Sequence, residues 1–384
     1  MWEVILMKFL HTSDWHLGAS DNNLSLWDDQ KFFINEICKI IESEKIGAIL
    51  IAGDIYDRSV VSAEALNLYD YAISKICVDM GVRVFEIAGN HDSAERLSNL
   101  SRLHENSGLY VAGAIEREPS VYEQDDVQIF LLPWFTKEKV KTIYPEKADE
   151  IKTLEDAYRI VTSELKEHFK DGKKHIVLSH AFIADSETST SDRAAEIGTA
   201  TQVGASVFDG FDYVALGHIH KPQDVSDRIR YCGTPMPYSF GKEERQEKGV
   251  TIVDTDTMEI KHVSLPLLHT RRTFEGTLEE MKNPVCSMEE RNGYVRLNIS
   301  DCYVGSSVIN ELRNIYPNLL EVSGKNYEGE ETTISLTMEE FERIENDPME
   351  IFRHFCLDQM QKEPDEHKVE LFREAVAKVE EENS

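Results

Sequence analysis

Positive charge is what this sequence most lacks. Its 384 residues carry 41 Lys and Arg against 71 Asp and Glu, a formal net charge of −30. Proteins that hold phosphate backbones commonly show a basic footprint, so the overall balance argues against a nucleic-acid partner. Long apolar runs are missing too, and no stretch is long and apolar enough to span a bilayer. The opening Met1–Leu6 is too short for a secretory signal and has no small-residue cleavage site. Met7 is an alternative start, because Met7-Lys8-Phe9-Leu10 already begins a strand. The expectation is a soluble, cytoplasmic chain with no membrane partner. The six cysteines are scattered and form no C-x-x-C pair, which argues against zinc ribbons and dithiol redox motifs. They read as buried or idle thiols in a reducing cell. There is no internal repeat, and low complexity is confined to the acidic tail at Glu380–Glu382.

What is present is a patterned chain. A hydrophobic content of 41% is ample for a large core, and the length allows two or three domains. Lys8–Thr12, Ala48–Ala52 and Val82–Ala88 read as strands, separated by helical patterns at Leu26–Ile41 and Ala63–Cys77. That alternation predicts an α/β core whose strands are buried on both faces. From Val121 the runs shorten (Val127–Leu132, Arg228–Cys232, Gly249–Val253, Glu259–Leu265) and predict hairpins and a second sheet. Asp185–Gly204, rich in Ser, Thr, Ala and Gly, reads as a long loop near the site, and its Arg193 is a solvated residue or a substrate contact. After about Leu268 a small α+β pattern follows, with strands at Thr273–Leu278, Tyr294–Ile299 and Thr332–Leu336 and a helix at Val308–Tyr316. From Asp347 the chain reads as two amphipathic helices separated by Pro364.

The polar clusters follow strands. They are Asp14-Trp15-His16, Gly53-Asp54-Ile55-Tyr56-Asp57-Arg58, Gly89-Asn90-His91-Asp92, Ser179-His180 and Gly217-His218-Ile219-His220. Ligands of open α/β sheets bind beyond the carboxyl ends of strands, and chance does not readily fill five such ends with metal-type side chains. Carboxylate, imidazole and amide oxygen together suit Mn²⁺, Fe²⁺ or Zn²⁺. On an extended segment, Asp14 and His16 face the same way and can chelate one ion, and His218 and His220 repeat that geometry. The glycines before Asp54, Asn90 and His218 are expected to turn the backbone tightly. Seven ligands exceed one ion but suit two ions sharing a carboxylate, a pair that activates water and clamps the oxygens of an in-line displacement.

These motifs, in this order from Asp14 to His220, closely resemble the calcineurin-like metallophosphoesterase superfamily. The stretch His11–Gly18 (HTSDWHLG) is similar to the start of the SbcD family, the nuclease subunits of SbcCD exonucleases. Ile51–Arg58, Ala88–Leu97, Phe208–His220 and Cys232–Val250 also resemble that family. After about Leu268 the likeness is one of layout. The resemblance implies an α/β sandwich of two β-sheets flanked by helices, with a nuclease domain over 1–267, an α+β capping domain over 268–345 and partner-binding helices over 346–384. It implies that Asp14, His16 and His220 hold one ion, that Asn90, His180 and His218 hold the other, and that Asp54 bridges, with Mn²⁺ as the expected pair. His91 would stabilise the pentacovalent phosphate and protonate the leaving oxygen, with Asp92 orienting His91 through a hydrogen bond. Arg58 either clamps Asp57 or meets a phosphate, and Arg96 is either a backbone contact to nucleic acid or a solvated helix residue. The implied partners are DNA and an SbcC-type coiled-coil ATPase, with a homodimer of this chain inside a heterotetramer. The implied activity is double-strand 3′–5′ exonuclease and single-strand endonuclease cleavage in DNA repair.

Blander readings stand beside these. A lone His is usually a core or surface residue, and His11, His104, His168, His175, His262, His269, His354 and His367 are given no role. Trp15 reads as core packing. The same metal chemistry also fits a phosphatase or small-molecule phosphodiesterase, although a minimal phosphatase lacks the extra cap and tail. A non-catalytic DNA tether is disfavoured because every ligand position is filled. The charge objection is softened by bound cations, by the late position of much of the acid (Glu289-Glu290, Glu328–Glu331, Glu339-Glu340), and by a partner able to supply phosphate contacts.

Overall fold

The computed structural model describes residues 8–22, 24–124, 126–189, 191–192, 202–304, 306–325 and 331–335, with isolated residues between 349 and 373. Two compact units form. One comprises Met1–Ala19 with Leu26–Leu268, and the other Ser20–Ser25 with His269–Ser384.

The first unit is a sandwich of two six-stranded sheets. In spatial order the first sheet runs Ile260–Ser264, Gly249–Asp254, Lys8–Thr12, Ala48–Ile51, Arg83–Ile87 and Leu109–Ala112. Its last four strands are mutually parallel. The second sheet runs Gln223–Asp224, Ile229–Tyr231, Tyr213–Gly217, Lys174–His180, Val127–Leu132 and Ser120–Gln124. Its central four strands are parallel and its two edges antiparallel. The apolar strand runs predict this burial: Ala48–Ile51 and Tyr213–Gly217 are buried along their whole length. Phe9, Ala48, Leu50, Phe85 and Ile87 of one sheet pack with Val127, Ile129, Leu131, Ile176, Leu178, Tyr213 and Ala215 of the other. The outer face of the second sheet, through Phe130, Val177, Val214 and Leu216, is covered by Val140 of the helix Lys137–Ile143 and by Ala157, Tyr158, Val161 and Leu165 of the helix Leu154–Lys166. That last helix starts on a Thr153–Asp156 capping box.

The later strands depart from expectation. Gly249–Asp254 and Ile260–Ser264 do form a hairpin, but it extends the first sheet, with Gly249–Asp254 antiparallel to Lys8–Thr12. Alternation fixes which face of a strand is buried, and both sheets offer the same kind of edge, so the pattern alone does not choose between them. His11 ties the sheets together, its Nδ1 lying 2.8 Å from the Tyr213 hydroxyl and its Nε2 3.1 Å from the Leu216 carbonyl.

In the second unit, Arg271–Gly276, Tyr294–Tyr303 and Leu319–Lys325 are parallel, and Glu331–Ser335 is antiparallel to the last of them. Val295, Leu297, Ile309, Leu312, Tyr316 and Val322 form its core. Sequence alone leaves Ser20–Ser25 in the first domain. The structure groups this hairpin with the second unit, where Asp21 pairs with Arg271 and Asn22 Nδ2 donates to the Leu320 carbonyl at 3.2 Å. Most of the two closing helices, together with Arg193, His354, Met1 and Met7, lies outside the described residues.

Candidate metal centre

The five motif segments meet at the carboxyl ends of both sheets. Strand register sets the level: Thr12 pairs with Ile51, Ile51 with Glu86, and Gly217 with His180. Beyond Thr12 the chain does not remain extended, as the D-x-H reasoning supposed. Asp14 and His16 adopt φ of 52° and 43°, Asp54 of 51° and His218 of 100°. Left-handed conformations at non-glycine residues are costly and concentrate at functional sites. Here the surroundings hold them, with Asp14 N donating to Gly53 O at 2.9 Å and His16 N to Asp54 O at 3.0 Å. The glycines also act differently than expected. Gly53 has φ 89°, but Gly89 and Gly217 serve close approach. A Cβ on Gly89 would lie 2.1 Å from Asp54 Oδ1, and one on Gly217 would lie 1.9 Å from the Ala52 carbonyl oxygen.

Two donor clusters result. In one, His16 Nε2 lies 3.1 Å from His220 Nε2, and donor atoms of Asp14, His16 and His220 all fall within 4.8 Å of one another. In the other, Asn90 Oδ1 lies 2.8 Å from His180 Nε2 and 3.0 Å from His218 Nδ1. Asp54 Oδ2 stands between them, 3.5 Å from His180 Nε2 and 3.9 Å from His16 Nε2. Asp14, Asp54, His16, His180 and His220 are buried. Backbone contacts orient these groups. His180 Nδ1 lies 2.8 Å from the Ala52 carbonyl, leaving Nε2 for the site, and His218 N donates to Asp14 Oδ1 at 3.0 Å.

The charges are strongly perturbed. Burial drives the Asp14 carboxyl up to about 6 against the pull of His180 and His220. Burial would raise Asp54 as well, but His180, His91 and His16 hold it well below the usual carboxylate range. His180 is raised to about 9 because Asp54 and Asp14 outweigh its burial. Burial, reinforced by His180, depresses His218 to about 3, and His16 also falls well below its usual value.

This donor set fits divalent cations. Carboxylate, imidazole and amide oxygen converge with no thiolate. The facing Nε2 atoms of His16 and His220 gain from a shared cation, and His16 Nδ1 is buried without a hydrogen-bond partner among the described residues.

His91 sits beside the clusters, half-buried, its Nε2 3.7 Å from Asp54 Oδ2. Its donor atom also groups with His16 and Asp57 within 4.8 Å, but its Nδ1 lies 2.8 Å from the Asp57 carbonyl. The expected bond from Asp92 to His91 is replaced by another arrangement. The Asp92 carboxylate accepts from the backbone N–H groups of Ile55 (3.1 Å), Tyr56 (2.9 Å) and Gly89 (2.9 Å). By accepting from three backbone N–H groups, the Asp92 carboxylate ties Ile55-Tyr56, in the loop whose Asp57 carbonyl meets His91 Nδ1 at 2.8 Å, to Gly89. Arg58 is exposed and pairs with Asp57 at 3.2 Å. Arg96, on the short helix Ala94–Leu97, is exposed.

Sequence reading missed a supporting layer. Gln30 Nε2 donates to the His16 carbonyl at 2.7 Å while Gly18 N donates to Gln30 Oε1 at 3.0 Å. The Tyr238 hydroxyl donates to the Trp15 carbonyl. Behind His220, Ser191 Oγ lies 2.5 Å from Nδ1 and also bonds Glu243, which is paired at 3.3 Å with Lys248. Glu243 and Lys248 are both buried. The available signal was the run Cys232–Val250, whose Glu and Lys offer no chemistry until the fold sets them behind His220.

Comparison with known proteins matches residues 7–222 to the calcineurin-like phosphoesterase family. Residues 264–360 match the family described as type 5 capsule protein repressor C-terminal domain. The SbcD component of the SbcCD nuclease from Staphylococcus epidermidis is 32% identical over 321 residues, covering 83% of this chain and 85% of that protein. Its namesake from Staphylococcus saprophyticus is 30% identical, covering 84% and 86%. The crystal structure of a dimetal phosphatase from Danio rerio aligns with a TM-score of 0.43 and 13% identity, over 67% of this chain and 96% of that one.

Proposed function

The chain belongs to the SbcD family of nuclease subunits, within the calcineurin-like phosphoesterases, and is a metal-dependent phosphodiester hydrolase; from that premise we propose that it cuts duplex DNA as a 3′–5′ exonuclease and single strands as an endonuclease. The observation that carries the reading is Asp54 Oδ2, set between the His16 and His180 imidazoles. Asp14, His16 and His220 would hold one ion and Asn90, His180 and His218 the second, with Asp54 placed to serve both and Mn²⁺ as the proposed metal. Such ions supply Lewis acidity and a nucleophile available at neutral pH.

The remaining work falls to the chain's own groups. With His91 Nδ1–H committed to the Asp57 carbonyl, the proton delivered to the leaving oxygen sits on Nε2, and the imidazolium is the donor. Asp92 holds the loop that keeps His91 in place. Residues 1–267 are the proposed nuclease domain, 268–345 the cap and 346–384 the surface for an SbcC-type ATPase. A homodimer within a heterotetramer and a cytoplasmic location are proposed with it. Among the described residues no helix is long and apolar enough to cross a membrane.

The test is cleavage of end-labelled duplex DNA by the purified chain with Mn²⁺, beside an aryl phosphodiester. Cleavage of both, abolished by chelator, is expected. The net charge of −30 favours a second reading, a small-molecule phosphodiesterase. Ester cleavage without DNA cleavage, even with the partner ATPase present, would select it.

A further inference from the structure

Trp134 is a large apolar side chain left 40% exposed just beyond a strand end that borders the metal centre. It follows the buried strand Val127–Leu132 by two residues. Leu132 pairs with Ser179 in the parallel ladder, so the chain leaves this strand at the level of His180. On its other side, Trp134 N donates to the Ala88 carbonyl at 2.9 Å, directly before Gly89-Asn90-His91. Trp134 is thus fixed between the segments that carry Asn90 and His180, whose donor atoms lie 2.8 Å apart. Its neighbours Pro133 and Phe135 are buried, which anchors the backbone and leaves the indole as the exposed element.

The residues that follow are basic, in a chain where basic residues are scarce. The helix Lys137–Ile143 carries Lys137, Lys139 and Lys141 against the single Glu138. Lys139 is exposed, the other two are half-exposed, and none has a carboxylate partner among the described residues. Lys137 Nζ donates only to the Lys152 carbonyl, at 3.1 Å. An exposed aromatic followed by unpaired cations is the combination with which proteins hold single-stranded nucleic acid. The ring takes the face of a base and the ammonium groups follow the phosphates.

We infer that Trp134 is a stacking platform for an unpaired nucleobase next to the scissile phosphate, with Lys137 and Lys141, one helical turn apart on the same flank of their helix, meeting phosphates of the same strand. The inference rests on the nuclease reading above. It assigns the DNA path, on a strongly acidic chain, to the side of the centre where Asn90 and His180 lie. A base still paired and stacked in duplex does not offer its face, so the platform acts on single strands and on frayed ends.

The experiment compares the full-length chain with Trp134→Ala and Trp134→Phe, with Mn²⁺, on three substrates: a single-stranded oligothymidylate, the same oligomer with abasic sites, and an aryl phosphodiester. Trp134→Ala is expected to lose about tenfold in kcat/KM on the oligothymidylate relative to the aryl ester. It should discriminate little between the normal and abasic oligomers, whereas the wild type discriminates strongly and Trp134→Phe keeps most of that discrimination. Replacing Lys137 and Lys141 by Gln should flatten the salt dependence of kcat/KM on the oligothymidylate, by a slope of about 0.7 for each phosphate no longer neutralised. Equal losses by Trp134→Ala on normal and abasic oligomers would overturn the inference, because a packing role does not depend on a base. A wild type that cuts the aryl ester but neither oligomer, even with the partner ATPase added, would overturn the nuclease reading itself, a result distinct from the first.

Discussion

Asp54 Oδ2 lies 3.5, 3.7 and 3.9 Å from nitrogens of His180, His91 and His16, and substitutions at these residues have separable consequences. Asp54→Ala is expected to weaken both ions together, read as a drop in bound metal by elemental analysis; a full complement would remove the bridging role. His91→Asn should keep both ions and lose most cleavage, on the order of a hundredfold or more for a lost general acid, and loss of an ion would make His91 a ligand instead. Glu86 offers a test away from the centre. It is buried on the strand Arg83–Ile87 and accepts the Tyr69 hydroxyl at 2.5 Å. Burial pushes its carboxyl up to about 8. The folded state therefore holds a proton that the unfolded state releases near 4.5, and stability is lost as pH rises from about 4.5 through 8. Glu86→Gln, which keeps the acceptor, should gain on wild type as pH rises, on the order of 4 kcal/mol at pH 8. Thermal melts at pH 5 and pH 8 measure it.

At the scale of elements, the loops do more than the strands that present them. Glu187 and Asp192 are held against the loop that carries His220, Glu187 N donating to Gln223 at 2.9 Å and Asp192 accepting from His220 N at 3.1 Å. Lys248 donates to the His220 carbonyl at 2.9 Å and to Thr234 at 2.7 Å, beside buried Glu243. Removing one member of a buried ion pair leaves the other uncompensated. Lys248→Met should therefore lower unfolding free energy by about 3–5 kcal/mol in chemical denaturation, and the double variant with Glu243→Gln should recover part of the loss.

For the whole molecule, a centre built from both sheets couples ion binding to the stability of the first unit. Only the folded chain brings Asp14, Asp54, Asn90 and His180 together, so cation binding adds to stability by mass action. Mn²⁺ at a hundred times its dissociation constant should contribute about 2.7 kcal/mol. Calorimetric scans with metal and with chelator test this, and an unchanged melting profile would argue against a centre held by both sheets.

The strand–helix alternation, the level of each motif at a strand end and the polar side chains that converge there were legible in the sequence, because burial periodicity and donor chemistry are local properties of residue type. The strand Val127–Leu132 and the helix beginning at Trp27 lie close to where periodicity puts them. The sheet that receives the Gly249–Ser264 hairpin was decided by tertiary structure, as was the inclusion of Ser20–Ser25 in the second unit, since strand edges carry no sequence label. The backbone at Asp14, His16 and His218 is left-handed because long-range hydrogen bonds over-determine it, against local preference. Asp92 turned from His91 to three backbone donors for a similar reason. A half-buried carboxylate takes whichever N–H groups the fold brings within reach, and those came from two loops, at Ile55-Tyr56 and at Gly89.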